Sequence, residues 1–131
     1  MNEIVVVYIE DQDEMIMGAT SFFSTTEFKI VFIKNIEGLD DAIMNNSPKI
    51  VISDDDINGK KYATDIAEIV SSHRKFKKII LIGCSAYANA PGLEKEYQKV
   101  GFDRFFDNDG SEEHMNIIVE YMREQLKKNK M

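Results

Sequence analysis

The stretch Pro48-Lys49-Ile50-Val51-Ile52-Ser53-Asp54 decides the fold. A strand covered on one face alternates apolar and polar residues. A strand covered on both faces reads instead as an unbroken apolar run, as Ile50 to Ile52 does before the acid. Pro48 stops a preceding helix and marks the point where strand takes over. The same signature occurs earlier, where the run Ile4 to Ile9 ends in Glu10-Asp11. Open parallel sheets bind ligands in the crevice beyond the carboxyl ends of their strands. Glu10, Asp11 and Asp54 are therefore expected to meet at one rim.

Working outward, apolar runs predict strands over residues 3–9, 28–34, 49–54, 78–84 and 102–106. Between them lie helical patterns. Residues 13–24 carry Met15, Ile16, Ala19, Phe22 and Phe23; residues 37–46 carry Leu39, Ala42 and Ile43. Residues 62–73 carry Ala63, Ile66, Ile69 and Val70, and residues 92–100 carry Leu93, Tyr97 and Val100. The last pattern, 111–128, repeats Met115, Ile118, Val119, Met122 and Leu126 at spacings of three and four, with Ser111 as its cap and Glu112-Glu113 in the first turn. Five strand–helix units predict an α/β fold with a doubly wound parallel sheet and right-handed crossovers. One domain over residues 1–128 is expected, with residues 129–131 as a C-terminal tail and fraying from Lys127 onward.

Composition narrows the class. The net charge of −7 argues against a nucleic-acid surface, which needs clustered Lys and Arg. The one basic cluster, His73-Arg74-Lys75 with Lys77-Lys78, reads as a solvated helix end and loop. No apolar stretch approaches the roughly 20 residues that span a bilayer, so no membrane partner is expected. The N-terminus is not basic and its apolar run is short for a secretory signal. Cys84 is the only cysteine, which excludes an internal disulfide and makes a reducing, cytoplasmic compartment the expectation. Cys84 lies in an apolar run and reads as a small core residue. His73 and His114 have no Cys or His at ligand spacing and read as surface or interface residues.

Packed carboxylates repel one another, so the acidic rim favours a hard divalent cation. Magnesium suits it best, being satisfied by one or two carboxylates plus waters and phosphate oxygens.

In order and spacing, these motifs are similar to the receiver domain of two-component response regulators, over nearly the whole chain. Tyr8-Ile9-Glu10-Asp11 resembles that family's first strand and acidic pair, and Pro48 to Asp54 its third strand and phosphoacceptor. Ser85-Ala86 resembles the hydroxyl and small residues that end strand four. Gly101-Phe102-Asp103-Arg104-Phe105-Phe106 resembles the glycine and aromatic around strand five, with Phe105 in the place of the switch aromatic. The resemblance implies a flavodoxin-like (βα)5 fold with strand order 2-1-3-4-5. It implies Asp54 as nucleophile, and magnesium held by Glu10, Asp11, Asp54 and the backbone carbonyl of Asp56. It also implies Ser85 on a phosphoryl oxygen, and Phe105 moving inward to alter the face formed by helix four, strand five and helix five. The partners implied are a histidine kinase or a phosphotransfer protein, a downstream target on that face and, less directly, a second copy of the chain. Tyr87 and Phe106 flank the same surface.

The chain departs from the pattern at two places. The family's lysine after strand five, seven positions beyond Gly101, is Asn108 here, and the proline after it is Asp109. An amide forms weaker hydrogen bonds to phosphate than an ammonium does. Asp109 adds a further negative charge if it turns inward. After Asp54, the usual proline is Asn58 and the usual glycine is Tyr62, with Gly59 nearby. Lys60 or Lys61 in that loop could return a cation to the site, or simply be solvated.

Two functions thus compete on one site. One is a phosphorylatable receiver, which assists its own phosphorylation and is only loosely an enzyme. The other is a phosphorylation-independent pseudo-receiver that binds proteins. A phosphatase of the haloacid-dehalogenase type, suggested by Asp54-x-Asp56, would require a longer core. Neither a G-x-G-x-x-G nor a hydroxyl-rich loop follows the first strand, which disfavours dinucleotides and flavins.

Overall fold

The computed structural model describes residues 3–86 and 92–129. Strands β1 (Ile4–Ile9), β2 (Phe28–Ile33), β3 (Ile50–Asp54), β4 (Ile80–Ser85) and β5 (Arg104–Asp107) alternate with helices α1 (Asp13–Phe23), α2 (Leu39–Asn46), α3 (Ala63–Arg74), α4 (Leu93–Val100) and α5 (Glu112–Asn129). Every strand pairing is parallel, and the order is β2-β1-β3-β4-β5. This is the doubly wound sheet that the apolar runs predict.

Alternate strand residues feed two cores. Val6, Tyr8, Ile50, Ile52, Ile82, Cys84 and Phe106 pack beneath α1 and α5, against Phe23, Met115, Ile118, Val119 and Met122. Val7, Ile9, Val51, Leu81 and Phe105 pack on the other face, against Leu39, Ile43, Ile66, Val70 and Tyr97. The residues of β3 from Ile50 to Ser53 are all buried, because the strand has neighbours on both sides and helices on both faces.

Three details differ from the sequence reading. The C-terminal helix runs on to Asn129, so Lys127 and Lys128 belong to it and only residues 130–131 fall outside the description. Leu126 packs against the core, and two lysines complement the negative end of the helix dipole. Val100 is exposed rather than core-facing.

The third difference is Arg74, which is no solvated end. Its guanidinium donates to the carbonyls of Ile79 and Gly101, each at 3.0 Å, and to Asp103 Oδ2 at 2.7 Å. Asp103 Oδ2 also accepts from the Leu81 amide at 2.8 Å. One planar fork thus joins the end of α3 to the start of β4 and to the loop before β5. Arg74→Ala should cost about 2 kcal/mol, read as a lower midpoint in urea at unchanged slope. His73 pairs with Asp40 at 2.7 Å, and Lys77 donates to Ser47 Oγ at 2.8 Å.

Candidate functional site

The acidic rim forms where β1 and β3 end. Ile9 lies opposite Ser53 in the parallel register, so Glu10 and Asp54 leave the sheet side by side. One carboxylate oxygen from each of Glu10, Asp11 and Asp54 lies within 4.8 Å of the other two. They open into a cleft of about 580 Å³ that Asp55, Asp56, Lys61, Ser85 and Asn108 also line.

Each acid is held differently. Glu10 is buried, and its Oε2 accepts from the Asp11 amide at 3.1 Å. Asp11 Oδ2 accepts from the Asn58 amide at 3.0 Å, while its buried Oδ1 has no hydrogen-bond partner. Asp54 is half-buried at the strand end. Burial, then repulsion from Asp54, pushes Glu10 up to about 7. Burial, reinforced by the charges of Asp11, Asp55 and Asp56, pushes Asp54 up to about 6. Both acids thus hold protons more tightly than ordinary carboxyls.

The residues fit a hard cation. Oxygen donors of three residues converge, and a buried carboxylate oxygen of Asp11 lacks a hydrogen-bond partner. Asp56 is exposed on the cleft wall.

Ser85 ends β4, is buried and lines the cleft. Phe105 is buried on β5. Its ring centroid lies 4.2 Å from that of Tyr97, and its amide donates to Glu94 Oε2 at 3.1 Å. Tyr87 lies outside the described residues, whereas Phe106 is buried against Tyr121 with ring centroids 5.3 Å apart.

The two departures resolve differently. Asn108 is 3 % exposed and its amide is committed. Nδ2 donates to the Tyr8 hydroxyl at 3.0 Å and approaches Cys84 Sγ at 3.8 Å, and Oδ1 accepts from the Gly110 amide at 3.0 Å. The Tyr8 hydroxyl is 3.7 Å from Cys84 Sγ. Burial raises both the Tyr8 hydroxyl and the Cys84 thiol, the latter to about 12, so this is a buried neutral network beneath the part of the cleft that Asn108 lines. Asp109 is exposed at the edge of the cleft, and its carboxylate is engaged locally: its Oδ1 accepts from the Ser111 amide at 2.8 Å and lies 2.9 Å from His114 Nδ1. Ser111 Oγ caps α5 by accepting from the His114 amide at 3.3 Å.

The loop after β3 is built. Ile57 and Lys60 exchange backbone hydrogen bonds of 2.9 and 3.1 Å around Asn58 and Gly59, both at positive φ. That is the backbone of a tight primed turn, and Asn-Gly is its strongest sequence signal. The turn presents the Asn58 amide to Asp11, and Asn58 Nδ2 donates to the Lys34 carbonyl at 3.3 Å. Lys61 follows, with Nζ 2.6 Å from Asp55 Oδ2 on the cleft wall. Lys60 is exposed and is not among the cleft residues. Asp55, Asn58 and Tyr8 were thus missed as site residues; only the Asn-Gly pair carried a local signal.

The sequence matches no protein-family model, and a search among curated proteins finds no match. Solved structures are informative. The chain is similar to the signal receiver domain of the response regulator NarL from Mycobacterium tuberculosis, at a TM-score of 0.76 and 16% identity over 93% of this chain and 97% of that one. It is similar to the BeF3-activated receiver domain of Klebsiella pneumoniae RstA, at a TM-score of 0.72 and 12% identity over 91% and 95%. The receiver domain of Saccharomyces cerevisiae Ssk1, solved with the histidine phosphotransfer protein Ypd1, matches at a TM-score of 0.70 and 13% identity over 82% and 79%. At such identities the likeness is one of architecture: this chain has the fold of response-regulator receiver domains.

Proposed function

We propose that this protein is a receiver that accepts a phosphoryl group on Asp54 and signals by docking to other proteins. The observation that carries the reading is the meeting of Glu10 and Asp11, after β1, with Asp54, at the end of β3, around an open cleft. The donor would be a histidine kinase or a phosphotransfer protein, and the Ssk1 receiver is known in complex with the latter class. Output would pass to a protein partner, with a second copy of the chain as one candidate occupant. Among the described residues, no helix is long and apolar enough to cross a membrane. The cytoplasm is the compartment proposed.

In the proposed reaction, an Asp54 carboxylate oxygen forms a bond to phosphorus as the bond to the donor breaks. With acetyl phosphate the leaving group departs as acetate, and no proton need move. Glu10, Asp11, Asp54 and the Asp56 carbonyl would hold magnesium, which when bound neutralises charge on the transferring phosphoryl oxygens. Asp54 sits half-buried, so its carboxylate is both desolvated and reachable. Ser85 borders the cleft where it would bond a phosphoryl oxygen.

Intact mass after incubation with acetyl phosphate and magnesium tests the reading. The wild type should gain one phosphoryl group and Asp54→Asn none. A gain that survives in Asp54→Asn would place the modification elsewhere. The sequestered Asn108 amide favours a second reading, a binding module indifferent to phosphate. No gain at any magnesium concentration would select it.

A further inference from the structure

The cleft needs a cation to face a phosphoryl dianion, and the position where receivers carry lysine is closed to that role. Asn108 is buried, neutral and bonded to Tyr8 and Gly110. Lys61 is the one lysine or arginine on the cleft wall among the described residues. It enters from the opposite side, off the turn after β3. Its side chain is 67 % exposed, and its Nζ rests at 2.6 Å from Asp55 Oδ2. Asp55 is 8 % exposed, and its buried Oδ1 has no hydrogen-bond partner. Asp55 is thus a nearby berth that holds the ammonium beside Asp54.

We propose that Lys61 is the phosphoryl-binding cation of this site, and that the loop from Ile57 to Lys61, not Phe105, is the element that moves when Asp54 is phosphorylated. This rests on the reading of Asp54 as phosphoacceptor and assigns the regulation of that site. Lys61 leaves Asp55 for the phosphoryl oxygens and draws on a turn already tied to the metal site through Asn58 and Asp11. The same turn holds the Lys34 carbonyl beyond β2, and it leads directly into α3. Phe105 is packed on Tyr97, and its amide is clipped by Glu94. The phosphorylated state is therefore read by a protein partner at the β3–α3 corner.

The test compares wild type, Lys61→Gln, Lys61→Arg and Lys60→Gln. Labelling by acetyl phosphate at saturating magnesium should slow about tenfold or more in Lys61→Gln, recover largely in Lys61→Arg and stay unchanged in Lys60→Gln. Magnesium affinity of Lys61→Gln, measured separately, should be equal or tighter, because a competing positive charge is gone. A merely structural role for Lys61 would weaken both. With beryllium fluoride and magnesium, the largest amide chemical-shift changes should fall on Asn58 to Lys61 and the first turn of α3. Full labelling speed in Lys61→Gln, or changes centred on Phe105 and Glu94, would overturn the proposal while leaving Asp54 as acceptor. Absence of labelling in the wild type would remove both.

Discussion

Magnesium added at pH 8 will raise the melting temperature by about 5 °C, and the same addition at pH 5 will raise it far less. The sign follows from the two raised carboxyls. Glu10 is pushed to about 7 and Asp54 to about 6 in the fold, above their ordinary values of 4.5 and 3.8. The folded protein therefore binds their protons more tightly than the unfolded chain. That contribution is fully present below about pH 4 and is lost as pH rises through about 6 and then about 7. At pH 8 the metal-free rim is almost fully charged, and this pair then lowers stability relative to pH 4. A divalent cation removes that repulsion at pH 8. At pH 5 it must first displace protons from both acids, so its affinity falls. Thermal melts at the two pH values, with and without magnesium, check this directly. Equal shifts at both, or an undiminished shift in Asp11→Asn, would show that the cation binds elsewhere. Glu10→Gln should stabilise the metal-free protein at pH 8 and abolish most of the magnesium effect.

Gly83→Ala should be among the most disruptive single-methyl changes in the chain. A Cβ at Gly83 would lie 2.6 Å from Phe105 Cδ2 and 2.9 Å from Cε2, with Phe102 Cδ2 at 3.2 Å. No real Cβ tolerates the first two distances, so Phe105 must move. Its backbone is held in β5 opposite Gly83 and its ring lies against Tyr97, so the ring cannot simply slide along the core. Overpacking of this kind costs about 1–3 kcal/mol, or else the ring swings out toward solvent. Urea unfolding measures the first outcome, and the chemical shifts of the Phe105 ring measure the second. Phe105→Leu placed in the Gly83→Ala background should recover much of the loss, whereas in the wild type it leaves a cavity and destabilises. A Gly83→Ala protein as stable as the wild type, with an unmoved Phe105 ring, would show that the contact yields more cheaply than its distances imply.

The buried position of Phe105 thus depends on the absence of a side chain at Gly83, two residues before Ser85. In the receiver domains that this chain resembles, the inward position of the aromatic is expected of the phosphorylated form. In this chain the space beneath the ring is provided by the strand itself.

Much of the fold was legible in the chain because parallel strands buried on both faces leave a local trace. Ile4 to Ile9 and Ile50 to Asp54 are apolar runs ending in acids, and they became β1 and β3 with a one-residue shift at most. Their ends placed Glu10, Asp11 and Asp54 at one rim, because a parallel sheet brings all its carboxyl ends to the same edge. Helix α5 showed its core stripe but not its last turn, since Lys127 and Lys128 look the same in sequence whether helical or frayed.

What tertiary structure alone decided are partnerships between distant or differently exposed residues. Asn108 meets Tyr8 across 100 positions, and this turns the position expected to face phosphate into a sealed neutral bond. Lys60 and Lys61 are neighbours with the same charge, yet only Lys61 reaches the cleft, because the Asn58–Gly59 turn reverses the chain just before it. Periodicity and strand ends report how a segment is buried, which is a local property. Which side chain answers which depends on packing across the sheet, and no local pattern encodes that.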